Sequence, residues 1–300
     1  MHSKEERTGE MMLIGACIVE GLFPIIAKFA TNVFPPILFT SISVLCAALV
    51  FLVIMIITGR IKQKLTLAAL GNVLGVAIFV VLALGLVLFG VQYTSSINTA
   101  LLLQAEILFA FIFATLFLGE KLRLIQLFGT VAILLGTVLV IFNGALELNK
   151  GDILIVLATV FFPIGNTFAK RALKLMTSEM LLFLRYSIGG LMLLAISYVF
   201  EDTSRVNLAT WQNSLWILIV YVSVSLSFGK FLWYTGLRRL PVGKATYIIS
   251  ANPAFSLIFA FILLHEAPTI YQALGFILTL SGVYMLITKR MQRGKVLDPV

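Results

Sequence analysis

Residues 37–57 read ILFTSISVLCAALVFLVIMII, twenty-one residues without a charge. A helix needs roughly 20 apolar residues to cross the hydrocarbon core of a bilayer. Strands of a membrane barrel would be about ten residues long and would alternate in polarity. This run is twice that length and continuous, so it is predicted to be a membrane helix. Working outward, nine more runs of the same kind follow: Met12–Phe29, Leu67–Phe89, Asn98–Leu118, Leu124–Phe142, Ile153–Leu173, Ser178–Val199, Leu215–Leu232, Thr246–Leu264 and Ile270–Thr288. The fold class expected is an all-α membrane protein of ten transmembrane helices.

Composition leads to the same class. Of 300 residues, 60% are hydrophobic and 12% are charged, with a mean hydropathy of +1.07. Ordinary soluble domains are nearer half apolar and a quarter charged. A cytosolic enzyme, a disordered chain and a secreted disulfide module are excluded. Cys17 and Cys46 lie inside apolar runs and read as small buried hydrophobes. The net charge of +9 sits in short gaps between the runs, a topological pattern that implies no nucleic-acid partner. With the N-terminus placed in the cytoplasm, sixteen Lys and Arg fall in cytoplasmic segments and two, Lys150 and Arg205, on the other side. The positive-inside rule then puts both termini in the cytoplasm of a cell (inner) membrane, with the basic residues facing lipid headgroups. No removable leader is expected, because the first run is long and carries Lys28.

Helix ends show expected start chemistry. Pro36 and Pro268 suit a first turn, Thr177 or Ser178 suits a cap, and Glu10 and Asp152 suit the positive end of a helix dipole. Glu120 and Glu266 are expected to cap the helices that follow them. Gly71 and Gly75, Ala110 and Ala114, and Ser256 and Ala260 have the spacing of close helix–helix contacts.

The two halves resemble each other. Gly9-Glu10 matches Gly151-Asp152 and Lys28 matches Lys170 at an offset of 142 residues. Further on the offset is 146, pairing Gly90 with Gly236, Phe113 with Phe259, Ala114 with Ala260, Glu120 with Glu266, Gln126 with Gln272, Gly129 with Gly275 and Gly136 with Gly282. Each repeat, 1–145 and 146–300, holds five spans. Five is odd, so the second repeat enters the membrane inverted. Inverted repeats allow two halves to exchange conformations and expose one site to each side in turn.

The stretch from Gln92-Tyr93-Thr94-Ser95 through Ala100–Glu106 to Leu118-Gly119-Glu120-Lys121, with its partner from Leu232–Pro241 to Asn252-Pro253 and His265-Glu266, resembles the repeated signature of the drug/metabolite transporter superfamily, EamA type. The resemblance implies a proton-linked or facilitative carrier of amino acids or other small metabolites, often an exporter. It also implies a central cavity lined by helices one, three, four, six, eight and nine. Two departures stand out. Glu20-Gly21 replaces the family's usual Trp-Gly, and Glu106-Ile107 lacks the proline that the second half keeps as Asn252-Pro253.

Charges inside spans mark a site, since each costs on the order of 2.5–3.5 kcal/mol to insert. Glu106, in the fourth span, can exchange a proton or pair with a substrate amine; the alternative is a structural carboxylate. Glu20 can hold an amine. Arg185 can clamp a carboxylate or hold helices together. Lys28 lies near a helix end and can snorkel. Gln104, Asn166, Tyr247, Ser250 and Asn252 can orient substrate or join helices. Pro24 and Pro163 are candidate hinges. No metal site and no cofactor are expected.

Acidic Glu20 and Glu106 beside basic Arg185 and Lys28 point to a zwitterion such as an amino acid, moved by alternating access, with proton coupling through Glu106 left open. A carrier of a phosphorylated or other anionic metabolite is the alternative. A different class, an intramembrane hydrolase, rests only on the Ser227–Lys230 spacing. The expected partners are a small metabolite, membrane lipids and, if coupled, a proton; monomer and homodimer both stay open.

Overall fold

The computed structural model describes residues 4–60, 65–118, 124–142, 144, 149–237, 239–240, 245 and 248–287. The chain is an all-α membrane protein of ten spans. Among the described residues, eight helical runs have the length and apolarity to cross a bilayer, and the last two spans hold shorter apolar stretches, Asn252–Leu264 and Ile270–Met285 within the helix Ile270–Ile287. Exposed apolar side chains ring the outside, among them Leu67, Ile57 and Phe200, each more than three-quarters exposed. That girdle is where the excess hydrophobicity goes: it faces lipid rather than water.

Two helix pairs, the second span (Pro36–Ile57) with the seventh (Ser178–Phe200) and the fifth (Leu124–Phe142) with the tenth, run side by side. The fifth and tenth meet through the repeated glycines. A methyl group on Gly275 would lie 2.8 Å from the Gly136 carbonyl oxygen, and one on Gly282 would lie 2.5 Å from that of Gly129. Gly129 corresponds to Gly275 and Gly136 to Gly282, so each contact is the other one turned over. The third span packs on the sixth where Gly90 faces Gly151, and the first packs on the eighth where Gly9 faces Gly236, again an exchanged pair. Within the shorter motifs, Gly75 packs on Phe168, but a methyl group on Gly71 would meet nothing within 4 Å among the described residues.

Several spans are interrupted. The first is two helices, Lys4–Gly21 and Phe23–Val33, broken at Leu22 just before Pro24. The fourth breaks between Ser96–Leu102 and Ala105–Leu118, where Glu106 N–H bonds back to Leu103 and Ile107 N–H to Gln104. The ninth turns at Ser250–Ala251 before Asn252–Leu264. The third and eighth contain wider-wound π segments, Ala77–Val81 and Tyr221–Gly229. Shifted by 146, the first of these falls within the second. The sixth span, Lys150–Ala172, runs unbroken through Pro163.

Termini correct three readings. Pro268 precedes the tenth helix rather than sitting in its first turn; Thr269 and Gln272 cap that helix reciprocally. Glu10 lies in the second turn of a helix that begins at Lys4. Glu266 does not cap the helix that follows it. The left-handed His265 turns the chain, and the Glu266 carboxylate accepts from Ser96 and Ile97 N–H, at the start of the fourth span. Glu120 lies outside the described residues. Glu201 works likewise across the halves: its carboxylate accepts from Ile37 and Leu38 N–H, both at 2.8 Å. Burial pushes the Glu201 carboxyl above its ordinary value, and the two backbone N–H groups hold it partly down. Thr177 caps the seventh helix as expected.

Candidate functional site

A cavity of about 860 Å³ occupies the middle of the bundle. Helices one, three, four, six, eight and nine line it, and the seventh adds Arg185 and Tyr186. Most of its wall is apolar, from Phe23, Val81, Leu84, Phe162 and Trp233, with a few polar groups set into it. Solute pockets have this composition, the apolar wall giving shape and the polar groups fixing orientation.

The fourth span's break puts Glu106 in the first turn of the half-helix Ala105–Leu118. A carboxylate there meets the positive end of the dipole. Its Oε1 accepts a hydrogen bond from Asn166 Nδ2 of the sixth span at 2.9 Å. Among the described residues no cation lies in ion-pair contact with Glu106.

Arg185 is 3% exposed. Its guanidinium donates to the hydroxyls of Tyr234 at 2.8 Å and Tyr186 at 3.0 Å, and it lies over both rings. Its Nε is buried without a hydrogen-bond partner, as is Ser225 Oγ, also on the cavity wall. No carboxylate pairs with Arg185 among the described residues.

Glu20 pairs with Lys230 of the eighth span, Nζ to Oε1 at 2.8 Å. Gly229 makes the room: a methyl group there would stand 2.8 Å from Glu20 Oε1. The sequence marks Lys230 only as half of the Ser227–Lys230 spacing and not as a substrate-binding charge, although the insertion-cost argument applied to Glu106 applies equally to it. The Ser227–Lys230 spacing does not form a nucleophile pair. Lys230 turns to Glu20, and Ser227 Oγ is buried without a partner and off the cavity wall.

The other candidates divide. Gln104, Asn166, Asn252, Pro24 and Pro163 line the cavity. Ser250 is buried but does not line it. Tyr247 lies outside the described residues. Lys28 does not line the cavity, and its ammonium is held by backbone rather than snorkelling to headgroups. Its ammonium donates to the Val91 carbonyl at 3.0 Å and the Thr94 carbonyl at 2.6 Å, satisfying the C-terminus of the third span. Beside it the halves are joined by a buried polar network. Asp152 accepts from Thr94 at 2.6 Å and from Asn98 at 3.2 Å, and Gln272 donates to Asn98 at 2.7 Å. At the other end of the bundle the cavity wall extends to Lys170 and Arg171.

This fold and cavity define a multi-pass membrane protein built to hold a small solute. The model of the EamA-like transporter family matches residues 7–142 and again 149–288, and the chain belongs to that family. It is 24% identical to the uncharacterized transporter YoaV of Bacillus subtilis, over 91% of this chain and 94% of that protein. It is 29% identical to an uncharacterized transporter of Archaeoglobus fulgidus, over 88% and 92%. A crystal structure 15% identical to it covers 95% of this chain and 99% of its own with a TM-score of 0.68, a likeness of fold alone. The relatives are transporters by name, in keeping with a transporter rather than an enzyme.

Proposed function

We propose that this chain is an alternating-access carrier of a small zwitterionic metabolite such as an amino acid. The observation that carries this is a pair of charges lining one cavity with no ion-pair contact of their own among the described residues: the Glu106 carboxylate, held by Asn166, and the Arg185 guanidinium, held by two tyrosines. A solute with one ammonium and one carboxylate satisfies both. Residues 1–145 and 146–300 act as the two moving halves, and the interrupted spans around the cavity absorb the motion. Pro24, beside the break at Leu22, and Pro163, inside the unbroken sixth span, are the proposed hinges.

The Asp152–Thr94–Asn98 network and the Lys28 cap then form the closed outer end of an inward-facing state. In this orientation the Lys- and Arg-rich loops and both termini are cytoplasmic, in the cell membrane. Glu106 is the coupling group if transport is proton-linked. The test is flux of a labelled amino acid into proteoliposomes. Wild type is expected to take it up and Glu106→Gln to lose uptake. Flux that ignores an imposed pH gradient refutes the coupling, and binding of large dianions alone refutes the zwitterion.

A further inference from the structure

We propose that the Glu20–Lys230 ion pair sets the charge class of the substrate. This rests on the carrier reading above and adds a specificity determinant to it. Apart from Lys170 and Arg171 in the last turn of the sixth span, the cavity is lined by four charges of the spans: Glu20, Glu106, Arg185 and Lys230. Their sum is zero, but they are not equivalent. Glu20 and Lys230 are in ion-pair contact at 2.8 Å, whereas Glu106 and Arg185 are hydrogen-bonded only to neutral groups. The pair therefore reduces a site of two acids and two bases to one acid and one base. A solute with a single cation and a single anion matches what remains. A dianion would need Lys230 freed, and a dication would need Glu20 freed. Each would leave the abandoned partner as an unpaired charge in an apolar wall, which selects against both.

Local structure is built for the contact. The π segment Tyr221–Gly229 ends where Lys230 begins a regular helix, and Gly229 is the residue whose missing side chain admits the Glu20 carboxylate. The first span breaks at Leu22, two residues past Glu20, so this carboxylate stands at the end of a half-helix.

The experiment measures thermal unfolding of the full-length protein in nanodiscs with three probes of similar length: leucine as zwitterion, succinate as dianion and putrescine as dication. Glu20→Gln frees Lys230 and is expected to move preference toward succinate by about tenfold or more. Lys230→Met frees Glu20 and is expected to move it toward putrescine by a similar factor. The double variant E20Q/K230M removes both charges and is expected to return to the wild-type preference. Gly229→Ala, which pushes Glu20 aside without removing a charge, is expected to weaken discrimination in both directions.

Opposite shifts in the two single variants with recovery in the double support the pair, even if wild type favours a probe other than leucine; that last result overturns the zwitterion reading alone. Shifts in the same direction, no shift, or a double variant that keeps either single variant's preference overturns the proposal.

Discussion

Glu106 in the fourth span and Asn252 in the ninth are equivalent positions, 146 residues apart, and both line the cavity. So are Leu84 and Lys230, at the same offset, and Phe162 answers Glu20 at an offset of 142. Arg185 corresponds at 142 to Ser43, a buried serine off the cavity wall. In every case one repeat carries the charge and the other does not, and both acids come from the first repeat and both bases from the second. The glycine contacts show the contrary pattern. Gly136 with Gly275 and Gly129 with Gly282 are the same contact made twice. The frame has kept its two-fold relation, as the proposed exchange between two mirrored conformations requires. The charges have lost it, and an asymmetric wall of this kind suits the asymmetric solute of the proposed carrier.

The comparison can be broken at its charged side first. Arg185→Met removes the one guanidinium that faces two tyrosines. Hydrogen bonds to a charged group are worth about 1.5–3 kcal/mol each, so apparent affinity for substrate is expected to fall at least tenfold to a hundredfold. Arg185→Lys restores the charge but not the fork and is expected to recover only part. Counterflow of labelled amino acid reads both.

The symmetric side is tested at the glycines. Gly275→Leu forces a side chain against the Gly136 carbonyl, and overpacking of this kind costs about 1–3 kcal/mol. Gly129→Leu, its equivalent, is expected to lower the unfolding temperature by a similar amount. A large difference between the two would show that the halves do not share this contact equally.

Asp152→Ala leaves Thr94 and Asn98 without their acceptor, a loss of about 1–3 kcal/mol at the seam between the halves. Spin-label distances across that end are expected to lengthen in a larger share of molecules. Smallest of all is an effect of pH on Glu201. Its carboxyl is raised in the fold, so the stability linked to it is complete below the unfolded carboxylate value of 4.5 and is lost as pH rises through the folded one. Glu201→Gln is expected to flatten that part of the pH–stability curve, measured by thermal unfolding between pH 4 and 7.

Much of the frame was legible in the chain. Apolar run length located ten spans, and identities at fixed offsets located the glycines that meet at the helix crossings. Insertion cost marked Glu20, Glu106 and Arg185, all of which face the cavity. Partners were not legible. Lys230 meets Glu20 across 210 residues, and no local pattern reports a contact of that separation. Lys28 read as a snorkelling residue because the carbonyls it serves belong to another span. The break in the fourth span was hidden because a turn at Leu103–Gln104 in an apolar run costs nothing in hydropathy. In the ninth, Asn252-Pro253 did signal the helix start that follows the turn.

Alternating exposure of the cavity is the central claim, and one residue tests it most directly. Gln104 lines the cavity at the break in the fourth span. In a Cys17→Ala/Cys46→Ala background, Gln104→Cys is labelled with a membrane-impermeant thiol reagent applied to one face of sealed, oriented vesicles and then to the other. Labelling from each face is expected, with a transported solute shifting the balance between them and no leak of the reagent through the membrane. Labelling from one face only, whatever solute is present, or reagent passing freely from face to face, contradicts it.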